Sequence, residues 1–194
     1  MLKTRNNTGI SRPYRQIPFV LTLLLMFMAV MFSNSHATVL PSMTDGQIKA
    51  AFVSNVIRYV TWPANATAAD NEICIGVLGR STPGNAWQSL NGRAVNGKKL
   101  RLRISTDIQD LDNCQVVFID TSERKSTVRA ISHLGNDPVL TIGDSEGFIS
   151  HDGGMIKVVS GGGRLSFSIS LRRARNAGLT ISSHLLKLAT EVYQ

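Results

Sequence analysis

Two short runs constrain the fold of this chain more than any other feature. Ile73-Cys-Ile-Gly-Val-Leu-Gly79 and Gln115-Val-Val-Phe-Ile119 are almost wholly apolar and lack the alternation of a strand with one wet face. Strands of this kind are buried on both sides, which is the situation of a parallel sheet covered by helices above and below. Val139-Leu-Thr-Ile142 repeats the pattern, and Leu100-Arg-Leu-Arg-Ile104 alternates as a strand with one solvated face would.

The segments between them carry helix signals. Thr44-Asp-Gly-Gln47 has the form of a capping box, and Ile48, Phe52, Val56 and Tyr59-Val60 follow at helical spacing, with Trp62-Pro63 as the stop. A short helix is expected over Asn85–Leu90, and another from a cap at Thr121 or Ser122 to about His133. Met155–Val159 and Arg164–Ser170 are joined by one serine and three glycines, too short a link for anything but an antiparallel hairpin. A helical turn over 171–177 ends at Gly178, and Ile181–Val192 predicts a final helix with Leu185, Leu188, Ala189 and Val192 on one face. The expected fold is therefore a compact single layered α/β domain. It has a mainly parallel central sheet flanked by helices, an antiparallel C-terminal hairpin and a final helix.

Residues 17–32 form an uncharged apolar run behind Lys3, Arg5, Arg12 and Arg15, and Ser35-His36-Ala37 supplies small residues for cleavage. This is the pattern of a secretory signal peptide, so residues 1–37 are expected to be removed after Ala37, leaving a periplasmic domain over 38–194. The location of charge matters too. Four of the 21 Lys and Arg lie in that segment, which has no Asp or Glu, so the remainder carries 17 positives against 13 negatives. A net +4 spread over the mature domain does not support nucleic-acid binding. Export also bears on the only two cysteines, Cys74 and Cys114. In an oxidising compartment one disulfide is expected, the alternative being two buried thiols. A zinc site lacks the ligand number and spacing.

Chemical motifs are weak. Gly92-Arg-Ala-Val-Asn-Gly97-Lys98 approaches a phosphate loop, but Asn96-Gly97 is a turn signal leading into a strand rather than a helix. The acidic, glycine-containing stretch Asp144–Gly154 lacks the order of a calcium loop. Asp144, Ser145 and His151 could supply hydrolase chemistry, without a nucleophile elbow around any serine. A small-ligand binder would use the crevice at the carboxyl ends of the strands, near Gly79–Gly84, Thr121 and Gly143-Asp144. No catalytic set, metal site or cofactor is expected.

Read as a string, Ile48-Lys-Ala-Ala-Phe52 through Asn55-Val-Ile-Arg-Tyr59-Val60 to Trp62-Pro63 resembles the opening helix of the YfiR/HmsC family. Further blocks agree in order: Cys74–Gly79, Gly92–Gly97, Cys114 ahead of Val116–Ile119, Val139–Asp144 with Gly147-Phe148, Gly153–Ile156, Arg164–Phe167 and Ala174–Leu179. The resemblance implies a periplasmic, non-enzymatic repressor that contacts the periplasmic sensor domain of an inner-membrane diguanylate cyclase, lowering cyclic di-GMP and biofilm formation. It also implies sequestration by an OmpA-like outer-membrane lipoprotein and homodimerisation. Cys74 and Cys114 match one family disulfide pair, and a second pair has no counterpart here. Arg and aromatic side chains dominate protein-binding surfaces, so the expected patch is Arg58, Tyr59, Trp62, Phe148, Arg164, Phe167 and Ile169.

Overall fold

The computed structural model describes residues 43–64, 66, 71–79, 84–120, 124–161 and 164–194. Contacts divide the chain into Met1–Pro41 and Ser42–Gln194. The expected signal peptide, residues 1–37, lies outside the described residues, as do Thr121 and Ser122.

Helix α1, Asp45–Val56, begins with the capping box read from the sequence: the Thr44 hydroxyl accepts from the Gln47 amide, and the Gln47 side chain accepts from the Thr44 amide. The helix tightens into a single 3-10 turn, Ile57–Tyr59, and the chain then extends as β1, Val60–Thr61. Val60 is thus a strand residue and not the last turn of a helix. Pro63 biases the residue before it away from helix, and β1 finds an antiparallel partner in β9, Thr180–Ile181.

Strand β2, Glu72–Leu78, is the spine of the main sheet. It is followed by α2, Gly84–Gln88, β3, Ala94–Val95, and β4, Lys98–Ser105. After a 3-10 turn at Ile108–Leu111 come β5, Val116–Ile119, α3, Arg124–Leu134, and β6, Leu140–Gly143. The hairpin is β7, Ile156–Gly161, with β8, Arg164–Ser170. Then come α4, Leu171–Asn176, β9, α5, Ser183–Leu188, and β10, Glu191–Tyr193. Eight strands pair in the order β10-β8-β7-β6-β5-β2-β4-β3. The pairs from β4 through β7 are parallel, whereas β7–β8 and β3–β4 are antiparallel. The would-be phosphate loop is the tight turn between β3 and β4, with positive φ at both Asn96 and Gly97.

Both faces of the sheet are covered, as the apolar runs require. Ile73, Ile75, Val77, Val116 and Phe118 join the core under α1, α2 and α4, together with Trp87, Leu140 and Ile169. Their neighbours Cys74, Leu78, Val117 and Ile119 point the other way, into a second core with Leu111, Ile131, Leu134 and Phe148. The C-terminus departs from expectation. The last helix stops at Leu188, which is 58% exposed, and Val192 lies in β10, parallel to β8 and opposite Ile169. As a strand this segment pairs with the edge of β8, which one more helical turn, satisfied by its own backbone bonds, would have left open.

Lys49 fastens α1 to the carboxyl end of β6. Its ammonium donates to Asp144 at 2.6 Å and lies 2.5 Å from Asp45, one turn back on the helix. Burial alone would push the Lys49 ammonium down, but the hydrogen bonds to Asp144 and Asp45 outweigh it and hold the group above its ordinary 10.5. Lys49 and the Ser160 hydroxyl hold the Asp45 carboxyl below 3.8. A raised amine stabilises the fold below its unfolded pKa and loses that effect as pH climbs through the raised value. A depressed carboxyl stabilises above its unfolded pKa and loses the effect as pH falls through the depressed one. Asp45 is exposed, so water screens much of its share. Lys49→Met is expected to cost about 1 kcal/mol at neutral pH and nearly nothing at strongly alkaline pH, as urea unfolding across pH would measure.

Candidate interaction site

The carboxyl end of α1 brings together an arginine and two aromatic rings. Arg58 is exposed, while Tyr59 and Trp62 are half-buried against the core and keep part of their rings at the surface. Tyr59 stacks on the exposed His184 imidazole with ring centres 5.4 Å apart, and its carbonyl accepts from the Ser182 amide. Pro63 packs beside Gly178, the residue at φ +71° that closes α4, so the exposed Arg175 belongs to the helix ending at this patch. His184 is a member of the cluster that residue type alone did not single out. Its place depends on the β1–β9 pairing, which has no local signature.

The other expected members lie elsewhere. Arg164 is exposed, but it pairs with Gly161 at the tip of the hairpin. The neighbouring Ser160 bonds Asp45 at the start of α1. Twelve residues of helix, about 18 Å, therefore separate Arg164 from Arg58 and Trp62. Phe148 and Ile169 have no exposed surface and Phe167 only 9%. These three are core residues, a correction to the expected patch. Ile169 and Phe167 alternate onto the inner face of β8, with the Phe167 ring 5.1 Å from that of Phe52, and Phe148 is swallowed between two glycines.

Beneath the patch is a polar junction. Gln115, 8% exposed, sits between Cys114 and β5. Its side-chain oxygen accepts from the Cys74 amide at 2.8 Å, and its side-chain nitrogen donates to the carbonyls of Ala66 and Asn113 at 3.3 Å. Its own carbonyl accepts both the Leu140 amide at 2.9 Å and the Trp62 indole N–H at 3.2 Å. The disulfide Cys74–Cys114 closes the same corner with its Cα atoms 4.4 Å apart, and both cysteines are buried. A bond so enclosed acts as a structural clasp between β2 and β5.

The rival chemistries gain little from the geometry. Asp144 is engaged by Lys49, and the His151 Nδ1 pairs at 2.8 Å with Ser150, its own chain neighbour, on an exposed loop. Among the described residues no carboxylate bonds the His151 ring, so no base and orienting acid face a nucleophile there. No group of three or more His, Cys, Asp or Glu among the described residues could hold a metal ion. At the carboxyl ends of the strands, a Cβ on Gly79 would lie 1.8 Å from the Asp120 carbonyl, and the Phe148 ring fills the space under Gly143. Neither Gly79 nor Gly143 thus has room for a side chain; residues 80–83 and 121–123, the rest of the crevice proposed for a small ligand, lie outside the described residues.

No helix among the described residues is long and apolar enough to cross a membrane. Among solved structures, the chain is similar to a conserved domain protein of Vibrio cholerae O1 biovar El Tor, with 14% identity and a TM-score of 0.49. The match covers 78% of this chain and 61% of that one. It is also similar to an ABC domain from Streptococcus pneumoniae in complex with L-Trp, with 11% identity, a TM-score of 0.46, and coverage of 76% and 60%. The chain thus spans less than two thirds of either structure's length. No curated protein matches it. The YfiR/HmsC-like family profile, in contrast, matches residues 46–190, from the first turn of α1 to the threshold of β10, and the chain belongs to that family.

Proposed function

We propose that this chain is an exported, non-enzymatic regulator. It binds the periplasmic sensor domain of an inner-membrane diguanylate cyclase and holds the cyclase inactive, lowering cyclic di-GMP and biofilm formation. The family match over residues 46–190 carries the reading. The apolar run and cleavage pattern up to Ala37 support a cleaved signal peptide and a periplasmic location. In this reading an OmpA-like outer-membrane lipoprotein competes for the repressor, and the domain works as a homodimer.

The surface offered to the sensor is Arg58, Tyr59 and Trp62. Arginine and partly buried aromatics anchored on a rigid scaffold give large contact area at little entropic cost, which suits a partner that must be exchangeable. To move the cyclase from almost all active to almost all inactive, the repressor must favour the inactive state by about 5.5 kcal/mol.

The test is cellular cyclic di-GMP in a deletion strain. Deletion is expected to raise it, and the wild type to restore it. A double variant, Arg58→Glu with Tyr59→Ala, is expected to fold but not to repress, with sensor affinity lowered roughly thirtyfold. A folded double variant that represses fully would defeat the surface assignment. An unchanged level on deletion would defeat the repressor reading itself.

A further inference from the structure

Every polar atom of Gln115 that can bond does so, and its partners come from three separate stretches of chain. The side chain holds the Cys74 amide on β2 and the Ala66 carbonyl beyond Pro63. The main chain holds the Leu140 amide on β6 and the Trp62 indole. Ala66 also donates to the Pro63 carbonyl at 2.9 Å, closing a turn directly after the indole. The turn carrying Trp62 is therefore tied to Gln115 at both ends, by the indole at one and by the Ala66 carbonyl at the other. Gln115 is in turn held in place by its amide on the Cys74 carbonyl at 3.1 Å and by the disulfide at the preceding residue.

We infer that Gln115 is a positioning residue for the Trp62 surface: although buried, it fixes the indole and its turn against the disulfide-clasped β2–β5 corner. The meaning of this for regulation rests on the function proposed above, but the positioning itself does not. A polar residue buried at a strand start that bonds Cys74, Ala66, Trp62 and Leu140 from distant segments, besides its neighbour Asn113, specifies one arrangement of those segments, because breaking the bond to the buried Cys74 amide would leave that group unpaired.

The experiment reads Trp62 alone. Trp87 is fully buried with an unpartnered indole nitrogen, so Trp87→Phe loses no hydrogen bond and leaves Trp62 as the single tryptophan, read by excitation at wavelengths where tyrosine does not absorb. In that background Gln115→Met keeps the volume of the side chain and removes its amide. It is expected to raise the acrylamide quenching constant of Trp62 roughly twofold while far-ultraviolet circular dichroism stays unchanged. Leu134→Ala, in the core on the other side of the sheet, is the control for general loss of stability and is expected to leave Trp62 unmoved. Equal quenching in Gln115→Met and its parent, or an equal rise in Leu134→Ala, would overturn the inference. A second measurement needs no substitution at Gln115. The Trp62 indole proton of the otherwise native chain should exchange at least roughly tenfold more slowly than a free indole, and exchange at the free rate would also overturn it. Because no partner is present in either measurement, failure here is distinct from failure of the repressor reading.

Discussion

Replacing both cysteines, Cys74→Ser with Cys114→Ser, is expected to lower unfolding stability by about 4 kcal/mol, the chain-entropy value for a loop of this length. The bond closes a separation of 40 residues that contains α2, β3 and β4. The serines add a further cost, because both positions are buried in an apolar cluster and each hydroxyl needs a partner there. Against the 5–15 kcal/mol typical of a domain, roughly 4 kcal/mol decides whether the protein survives in the envelope. Guanidinium unfolding of oxidised wild type and the double variant measures it directly. A difference below about 1 kcal/mol would mean that the β2–β5 corner is held by its hydrogen bonds alone. Because Cys114 adjoins Gln115, the variant is also expected to loosen the Trp62 turn, so lost repression by this variant alone does not separate stability from surface geometry.

Much of this architecture is legible from the sequence because it is locally encoded. The capping box at Thr44, the Asn96-Gly97 turn, the doubly buried strands at Ile73 and Val116 and the hairpin after Met155 each declare themselves within a few residues. The elements that were missed depend on partners far away in sequence. Val60-Thr61 is a strand because Thr180-Ile181 lies beside it, and Val192 is a strand because β8 has an open edge. The site follows the same division. Residue type marks Arg58, Tyr59 and Trp62, but only the register of β8 shows that Phe167 and Ile169 face the core. Gln115 carried one faint local sign, a polar residue opening an apolar strand. Its importance comes from Ala66, Cys74 and Leu140, which no window along the chain brings together.

Phe148→Ala is expected to cost about 3–5 kcal/mol, and the same substitution is expected to reverse the effect of a second one. Phe148 is an aromatic beside a glycine in a loop, and loops ordinarily run over the outside. Instead its ring is sandwiched. A Cβ built on Gly143 would lie 2.4 Å from the ring, and one built on Gly154 only 2.1 Å from it. Neither glycine has a positive φ, so the bar to a side chain there is the ring and not the backbone. Gly154→Ala in the wild type must therefore displace Phe148, at an expected 1–3 kcal/mol or somewhat more for overpacking. In the Phe148→Ala background the ring is gone and the new methyl enters the cavity, so Gly154→Ala there should be neutral or stabilising. The double-mutant cycle should show a coupling of at least about 1 kcal/mol in that direction, read from urea midpoints of the four proteins. Additive losses would mean that the 144–154 loop relaxes as a unit around either change. Strong coupling would show the ring and its two glycines to be one packing device that anchors this loop to α3 and β6, at the end of the domain opposite the Trp62 patch.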